Sequence, residues 1–207
     1  RLAGVENDHE CASPKEVLDK LRAGFHIYIR EGSGAKNLET LLGTLLDAEV
    51  ALDQCAFCTD DKHIEEIQKE GHISTCIRKA IALGVPVAKA YKLGSYQTAM
   101  FYGLKNYGAI GAGYHADIVF MDDLKEVRPT AVMKAGRILS EIDYKRRYEA
   151  EVPGELLHTV HVGNVTKERI QLACDGKTDV IRMNPHQIVT THLLEEVPVE
   201  NGYFVPD

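Results

Sequence analysis

Apolar positions along this chain recur first at helical and strand spacings that alternate, then at strand spacing alone. Ser13-Pro14-Lys15-Glu16 has the form of a capping box with Pro at the first helical position. It predicts a helix with Val17, Leu18 and Leu21 on one face, ending at Gly24. Residues 25–29 (FHIYI) read as a buried strand, followed by the loop Arg30-Glu31-Gly32-Ser33-Gly34. Leu38, Leu41, Leu42, Leu45 and Leu46 then return at helical spacing. Residues 54–59 form a second short strand, which runs into Asp60-Asp61-Lys62-His63 and a polar helix to about Glu70. Further helices are predicted over 74–83, 86–93 and 95–102. With a first strand near 4–8, the order is β-α-β-α-β-α. Repeated βα units predict a parallel sheet, either a barrel or a doubly wound sheet.

The texture changes near residue 104. Gly108, Gly111 and Gly113 punctuate the chain, residues 116–121 read as a strand, and 131–133 with 136–139 as a hairpin. Residues 143–155 are charged, contain Pro153 and Gly154, and read as a linker. Short strands are expected at 159–162, 170–173, 179–183 and 187–191.

Composition narrows the function. The 207 residues carry 24 Lys+Arg against 31 Asp+Glu, a formal charge of -7, which argues against a nucleic-acid partner. The one dense basic run, Lys145-Arg146-Arg147, is flanked by carboxylates and reads as a solvated face. No apolar stretch is long enough for a membrane span, and the N-terminal residues lack a signal-peptide core. The chain also lacks an opening Met and is expected to begin within a longer protein. Five Cys without framework spacing fit reduced thiols in a cytoplasmic protein. Cys55 and Cys58 form a C-x-x-C, but on a strand their thiols would point to opposite faces.

In parallel α/β folds, chemistry gathers at the C-terminal ends of strands. Three successive predicted strand ends are polar: Asp8-His9-Glu10, Arg30-Glu31 with Ser33, and Thr59-Asp60-Asp61 with His63. His9 suits a first-row metal or a hydrogen-bonded loop. Asp60 suits a ligand and general base, or a helix N-cap. His63 suits a proton shuttle or a surface position in a first helical turn. Arg30 and Glu31 could form an ion pair, and Ser33 with its glycines could simply make the turn. His158 and His161 would diverge on a strand and lack a third ligand nearby. No P-loop, H-E-x-x-H, G-x-S-x-G or H-x-E…P-C-x-x-C pattern is present.

Residues 108–119 (GAIGAGYHADIV) resemble the amidohydrolase pattern G-x-I-x-x-G-x-x-A-D-[ILV]-V, and residues 132–137 resemble the hairpin that follows it. A narrower resemblance is to bacterial-type adenine deaminases. It rests on Asn7-Asp8-His9-Glu10, Ile29-Arg30-Glu31-Gly32-Ser33, Ala35-Lys36-Asn37, Phe57-Cys58-Thr59-Asp60-Asp61 and Glu70-Gly71-His72-Ile73, in the family's order. Ile188-Val189-Thr190 and Asn201-Gly202 resemble the start of that family's third domain.

The resemblance implies the C-terminal part of a TIM-like (β/α)8 metallo-hydrolase barrel over residues 1–104. It implies a β-sandwich segment over 105–143, and a linker with the start of a further domain over 144–207. It implies His9 as a metal ligand, Asp60 as metal ligand and proton carrier, and Arg30, Glu31 and Ser33 near the purine. His63 would be a catalytic-site histidine of weaker assignment. The cofactor would be a binuclear divalent metal centre, commonly Mn²⁺ or Fe²⁺ and sometimes Zn²⁺. The reaction would be hydrolysis of adenine to hypoxanthine and ammonia. Further expected partners are the N-terminal part of the same enzyme and other copies in a homo-oligomer. The family's H-x-H, its acidic residue after strand 4 and its His after strand 5 are absent from these 207 residues. The open alternatives are an amidohydrolase acting on another cyclic amide or exocyclic amine, and a non-catalytic fragment.

Overall fold

A computed structural model describes residues 2–140, 143, 145 and 151–206. Residues 144 and 146–150 of the expected 143–155 linker, with Arg146 and Arg147 of the basic run among them, lie outside the described residues. The chain divides into two compact units. The first runs to Ser140 and includes Asn184–Val189; the second holds the remaining described residues.

The first unit begins with β1 (Asn7–Asp8), α1 (Pro14–Arg22), β2 (His26–Arg30), α2 (Leu38–Asp47) and β3 (Cys55–Cys58). The three strands pair in parallel in the order β1-β2-β3. The predicted capping box is formed. Ser13 Oγ accepts from the amide of Glu16 at 3.3 Å, and Glu16 Oε2 accepts from the amide of Ala12 at 3.0 Å. Gly24, at φ +83°, stops the helix in a conformation that glycine adopts without strain.

The register explains the two faces of the sheet. Ile27 pairs with Cys55 and Ile29 with Phe57; all four are buried with Val17 of α1 and Leu38, Leu41, Leu42 and Leu45 of α2. Tyr28 and Arg30 alternate to the other face. There His26 stacks on Phe101 with ring centroids 4.0 Å apart, and Tyr28 meets Phe101 edge-on at 5.8 Å. Cys55 and Cys58 lie on opposite faces, as their spacing requires, and both are free thiols.

Four helices follow: α3 (Ile64–Glu70), α4 (Ile73–Ala82), α5 (Val87–Gly94) and α6 (Tyr96–Phe101). Then β4 (Ile118–Met121), β5 (Pro129–Lys134) and β6 (Arg137–Ile138) make a small antiparallel sheet. Asp117 ties its ends together, accepting from the amide of Ala135 at 2.8 Å and pairing with Lys134.

The second unit holds α7 (Lys167–Ile170), the antiparallel pair β7 (Lys177–Met183) and β8 (Thr190–Glu196), and the pair β9 (Val199–Glu200) and β10 (Tyr203–Phe204). Residues 159–162, expected as a strand, form none; Val160 and Val162 are 80% and 73% exposed, with no neighbouring strand to pair with. His158 and His161 therefore sit on irregular exposed chain. Of 170–173, only Ala173 makes a bridge, to Tyr203. β8 begins three residues later than expected, at Thr190, because residues 184–189 turn with the first unit. Among the described residues no helix is long and apolar enough to cross a membrane.

Candidate active site

Because β1, β2 and β3 are parallel, their C-terminal ends share one edge of the sheet. That edge gathers the three polar strand ends picked out in the sequence. After β1, Asp8 turns the chain by accepting from the amide of Glu10 at 3.0 Å. Lys20 of α1 bonds to Asp8, and to Glu16 at 2.5 Å. Burial pushes the Asp8 carboxyl up, but the Lys20 hydrogen bond and charge, the Glu10 amide and the Cys11 thiol together outweigh it and hold the group below its ordinary value.

The turn presents His9 and Glu10. His9 Nε2 lies 3.1 Å from Glu10 Oε1 and 3.7 Å from Asp60 Oδ1. The second oxygens of those carboxylates, Glu10 Oε2 and Asp60 Oδ2, each lie 3.2 Å from Arg30 Nη1. Four side chains from three strand ends thus form one cluster. Its cation is buried, with the Arg30 side chain 2% exposed, and its carboxylates are open, at 49% for Glu10 and 39% for Asp60.

Asp60 does not cap a helix. It sits at φ +43°, and α3 starts only after His63. Its neighbour Asp61 is the residue that binds backbone, accepting from the amides of Ser33 at 3.1 Å and Gly34 at 2.7 Å. The Ser33 hydroxyl accepts from the amide of His63 at 2.9 Å and donates to Glu66. The loop after β2 is thereby stitched to the start of α3.

Glu31 is 3% exposed and pairs with Lys79 of α4 at 2.8 Å. For Lys79, burial works to lower its affinity for the proton, but the hydrogen bonds and negative charges of Glu31 and Glu39 together raise it. The His63 side chain is exposed at the N-terminus of α3.

A cleft of about 370 Å³ opens beside the cluster, lined among others by Asn7, His9, Tyr28, Asp60, His72 and Tyr102. Its volume lies in the range of small-molecule sites. Of the six expected site residues, the structure brings His9 and Asp60 to the cleft. Arg30, Glu31, Ser33 and His63 are not among its lining residues.

Two further residues emerge with no role assigned from the sequence. Glu10 follows His9 directly, a signal that was available in the strand-end cluster. His72 Nε2 lies 2.5 Å from Thr59 Oγ1, a contact between residues 13 apart that no spacing rule would disclose.

The ligand-type atoms of Asp8, Cys11 and Glu16 also lie within 4.8 Å of one another. Lys20 already neutralises both carboxylates, and burial pushes the Cys11 thiol up to about 12, so this group is an ion-paired brace.

Comparison with known proteins places these observations. The sequence pattern of the amidohydrolase family matches residues 2–139, and the chain belongs to that family. The chain is also similar to proteins named adenine deaminase. That of Desulfitobacterium hafniense (strain Y51) is 39% identical over 208 residues, covering 100% of this chain and 36% of the relative. That of Lysinibacillus sphaericus (strain C3-41) is 39% identical over 210 residues, again 100% of this chain and 36% of the relative. That of Halalkalibacterium halodurans is 36% identical over 211 residues, 99% of this chain and 35% of the relative. The chain therefore spans about a third of the length of the curated relatives it matches. The resemblance read from the motif blocks is borne out over the whole chain.

Proposed function

We propose that the longer protein carrying this chain hydrolyses adenine to hypoxanthine and ammonia. In this reading residues 1–104 supply the last βα units of a (β/α)8 barrel, 105–143 a β-sandwich segment and 144–207 a linker with the start of a further domain. The observation that carries the reading is the convergence of His9 and Asp60 at one strand edge, beside a cleft of small-molecule size, in a chain similar throughout to adenine deaminases.

An imidazole nitrogen and a carboxylate oxygen 3.7 Å apart, both partly exposed, form a donor pair suited to a divalent first-row metal. His9 and Asp60 fit that role. We propose Mn²⁺, with Fe²⁺ or Zn²⁺ as alternatives, in a binuclear centre completed by residues outside this chain. When bound, such a cation acidifies water and supplies the nucleophile at neutral pH.

The chain's own residues do the rest. Asp60 accepts the proton of the attacking water at Oδ1, the oxygen facing His9, as the C–O bond forms at C6 of adenine. It returns that proton to the amino group as the C–N bond breaks, leaving hypoxanthine and ammonia. In this reading the loop after β2 brings Glu31 and Ser33 toward the purine, Arg30 at the end of β2 stands behind Asp60, and His63 is a proton-shuttle candidate. A cytoplasmic homo-oligomer is part of the same proposal.

Asp60→Asn in the full-length protein tests this directly. It keeps the shape and removes the proton acceptor, so ammonia release from adenine should fall by about 1,000-fold or more with the unfolding midpoint unchanged. Near-normal turnover would remove Asp60 from the mechanism. A panel of adenine, other purines, hydantoin and dihydroorotate separates this reading from another amidohydrolase activity: faster turnover of a non-adenine substrate would overturn it.

A further inference from the structure

Arg30 is 1% exposed, an unusual place for a permanent cation. A guanidinium does not lose its proton at any working pH, so it cannot act as general acid or base. It can hold carboxylates in fixed directions. Its Nη1 reaches Glu10 Oε2 and Asp60 Oδ2, both at 3.2 Å, from the ends of β1 and β3. The free oxygen of each carboxylate then faces His9 Nε2.

Nothing else among the described residues is seen to fix Asp60 so directly. Its carboxylate caps no helix, and among the described residues its hydrogen-bond and ion-pair partners are Arg30 and His9. Its backbone sits in the left-handed region at φ +43°, an arrangement that persists when the surroundings hold it. Arg30 does not line the cleft that His9 and Asp60 face. Its Nε and Nη2 are buried and make no hydrogen bond among the described residues, so one nitrogen serves both carboxylates while the remaining edge stays available to a further acceptor.

We propose that Arg30 is a positioning residue: it clamps Asp60 and Glu10 so that Asp60 Oδ1 is presented toward His9, and it acts on the reaction through Asp60 without touching substrate. The inference rests on the adenine-hydrolysis reading above, in which Asp60 carries the proton.

The test compares Arg30→Gln, Arg30→Lys, Glu10→Gln and the double variant Arg30→Gln/Glu10→Gln in the full-length protein, reading ammonia release across adenine concentrations. Arg30→Gln should lower kcat by about 100-fold and leave KM within about threefold. Arg30→Lys, which keeps the charge and loses the planar fork, should recover part of the loss. The double variant should lose less than the product of the single effects, since both break one clamp. A raised KM at unchanged kcat would make Arg30 a substrate contact and overturn the proposal, as would wild-type kcat in Arg30→Gln.

If Arg30→Gln fails to unfold cooperatively, Arg30→Lys and Glu10→Gln decide, and wild-type kcat in both overturns the clamp. A crystal structure supplies a readout independent of activity: in the first Arg30 variant that folds, Asp60 Oδ1 should swing away from His9. An unmoved carboxylate refutes the clamp. A wild-type protein that releases no ammonia from adenine refutes the deaminase reading alone, and the crystallographic arm still decides the clamp.

Discussion

Asp60 and Asp61 are consecutive carboxylates with opposite work. Asp60 faces the cluster of Arg30 and His9, while Asp61 is spent on the amides of Ser33 and Gly34. The second job explains the glycine at position 32. A Cβ on Gly32 would stand 1.8 Å from Asp61 Oδ1 and 3.1 Å from the Thr59 carbonyl oxygen. Gly32→Ala should therefore push the Asp61 carboxylate off both amides and cost about 1–3 kcal/mol of stability. Chemical denaturation would measure it, and Asp61→Ala should cost a similar amount with little further loss in the double variant. Additive losses would mean that the two residues do not share this contact. The sequence located the right loop but offered two readings for nearly every polar residue in it. That His9 and Asp60 lie 3.7 Å apart depends on the parallel pairing of β1, β2 and β3, which no local spacing discloses. Glu10 was visible beside His9, yet its link to Arg30 depends on a contact 20 residues away.

Elements with a local code were legible, and those that depend on partners were not. The capping box at Ser13, the leucine spacing of α2 and the apolar runs of β2 and β3 each carry their own signal, and all four elements form within a residue or two of expectation. Residues 159–162 alternate like a strand but have nothing to pair with, and backbone groups left on exposed chain are satisfied by water instead. α1 has a second function that periodicity hides: its Lys20 anchors the turn that presents His9, through Asp8 and Glu16. The Lys20 hydrogen bond holds the Glu16 carboxyl below its ordinary value, and at Asp8 Lys20 with the Glu10 amide and the Cys11 thiol more than offsets burial. A carboxyl lowered in the folded state stabilises the protein above its unfolded pKa, and that contribution is lost as pH falls through the folded value. Lys20→Met should thus destabilise the chain by about 1–2 kcal/mol at pH 7. The gap from wild type should close below about pH 4, where the unfolded carboxyls begin to take up protons. Urea titrations at pH 7, 5 and 3 would follow the gap; a difference that stays constant across them would assign the effect to lost packing of the lysine stem.

For the whole molecule, ordinary globular composition concealed an uneven distribution of core. Every buried apolar side chain among the described residues falls between Cys11 and Val127, while Leu157, Val160, Ile170, Ile181 and Met183 are all more than half exposed. The five thiols sample this difference. Burial pushes Cys11, Cys55, Cys58 and Cys76 up to about 12, whereas Cys174 lies half-buried in the second unit. At pH 8 a thiol raised to about 12 is ionised in about one molecule in ten thousand, and the thiolate is the reacting form. Cys11, Cys55 and Cys76 are buried in the core, so a maleimide or disulfide reagent should modify them only through opening of the first unit, after the half-buried Cys174 and the cleft-lining Cys58. Mass spectrometry at timed quenching would show three late adducts, those of Cys11, Cys55 and Cys76, appearing together as denaturant is raised through the unfolding transition. Those three belong to one packed region, so staggered labelling would mean that the core beneath the sheet carrying His9 and Asp60 opens piecemeal. A final total of three adducts rather than five would instead mean that two thiols had been oxidised to a disulfide. The opposite-face placement of Cys55 and Cys58 argues against that pair, and reduced thiols throughout are the expected state.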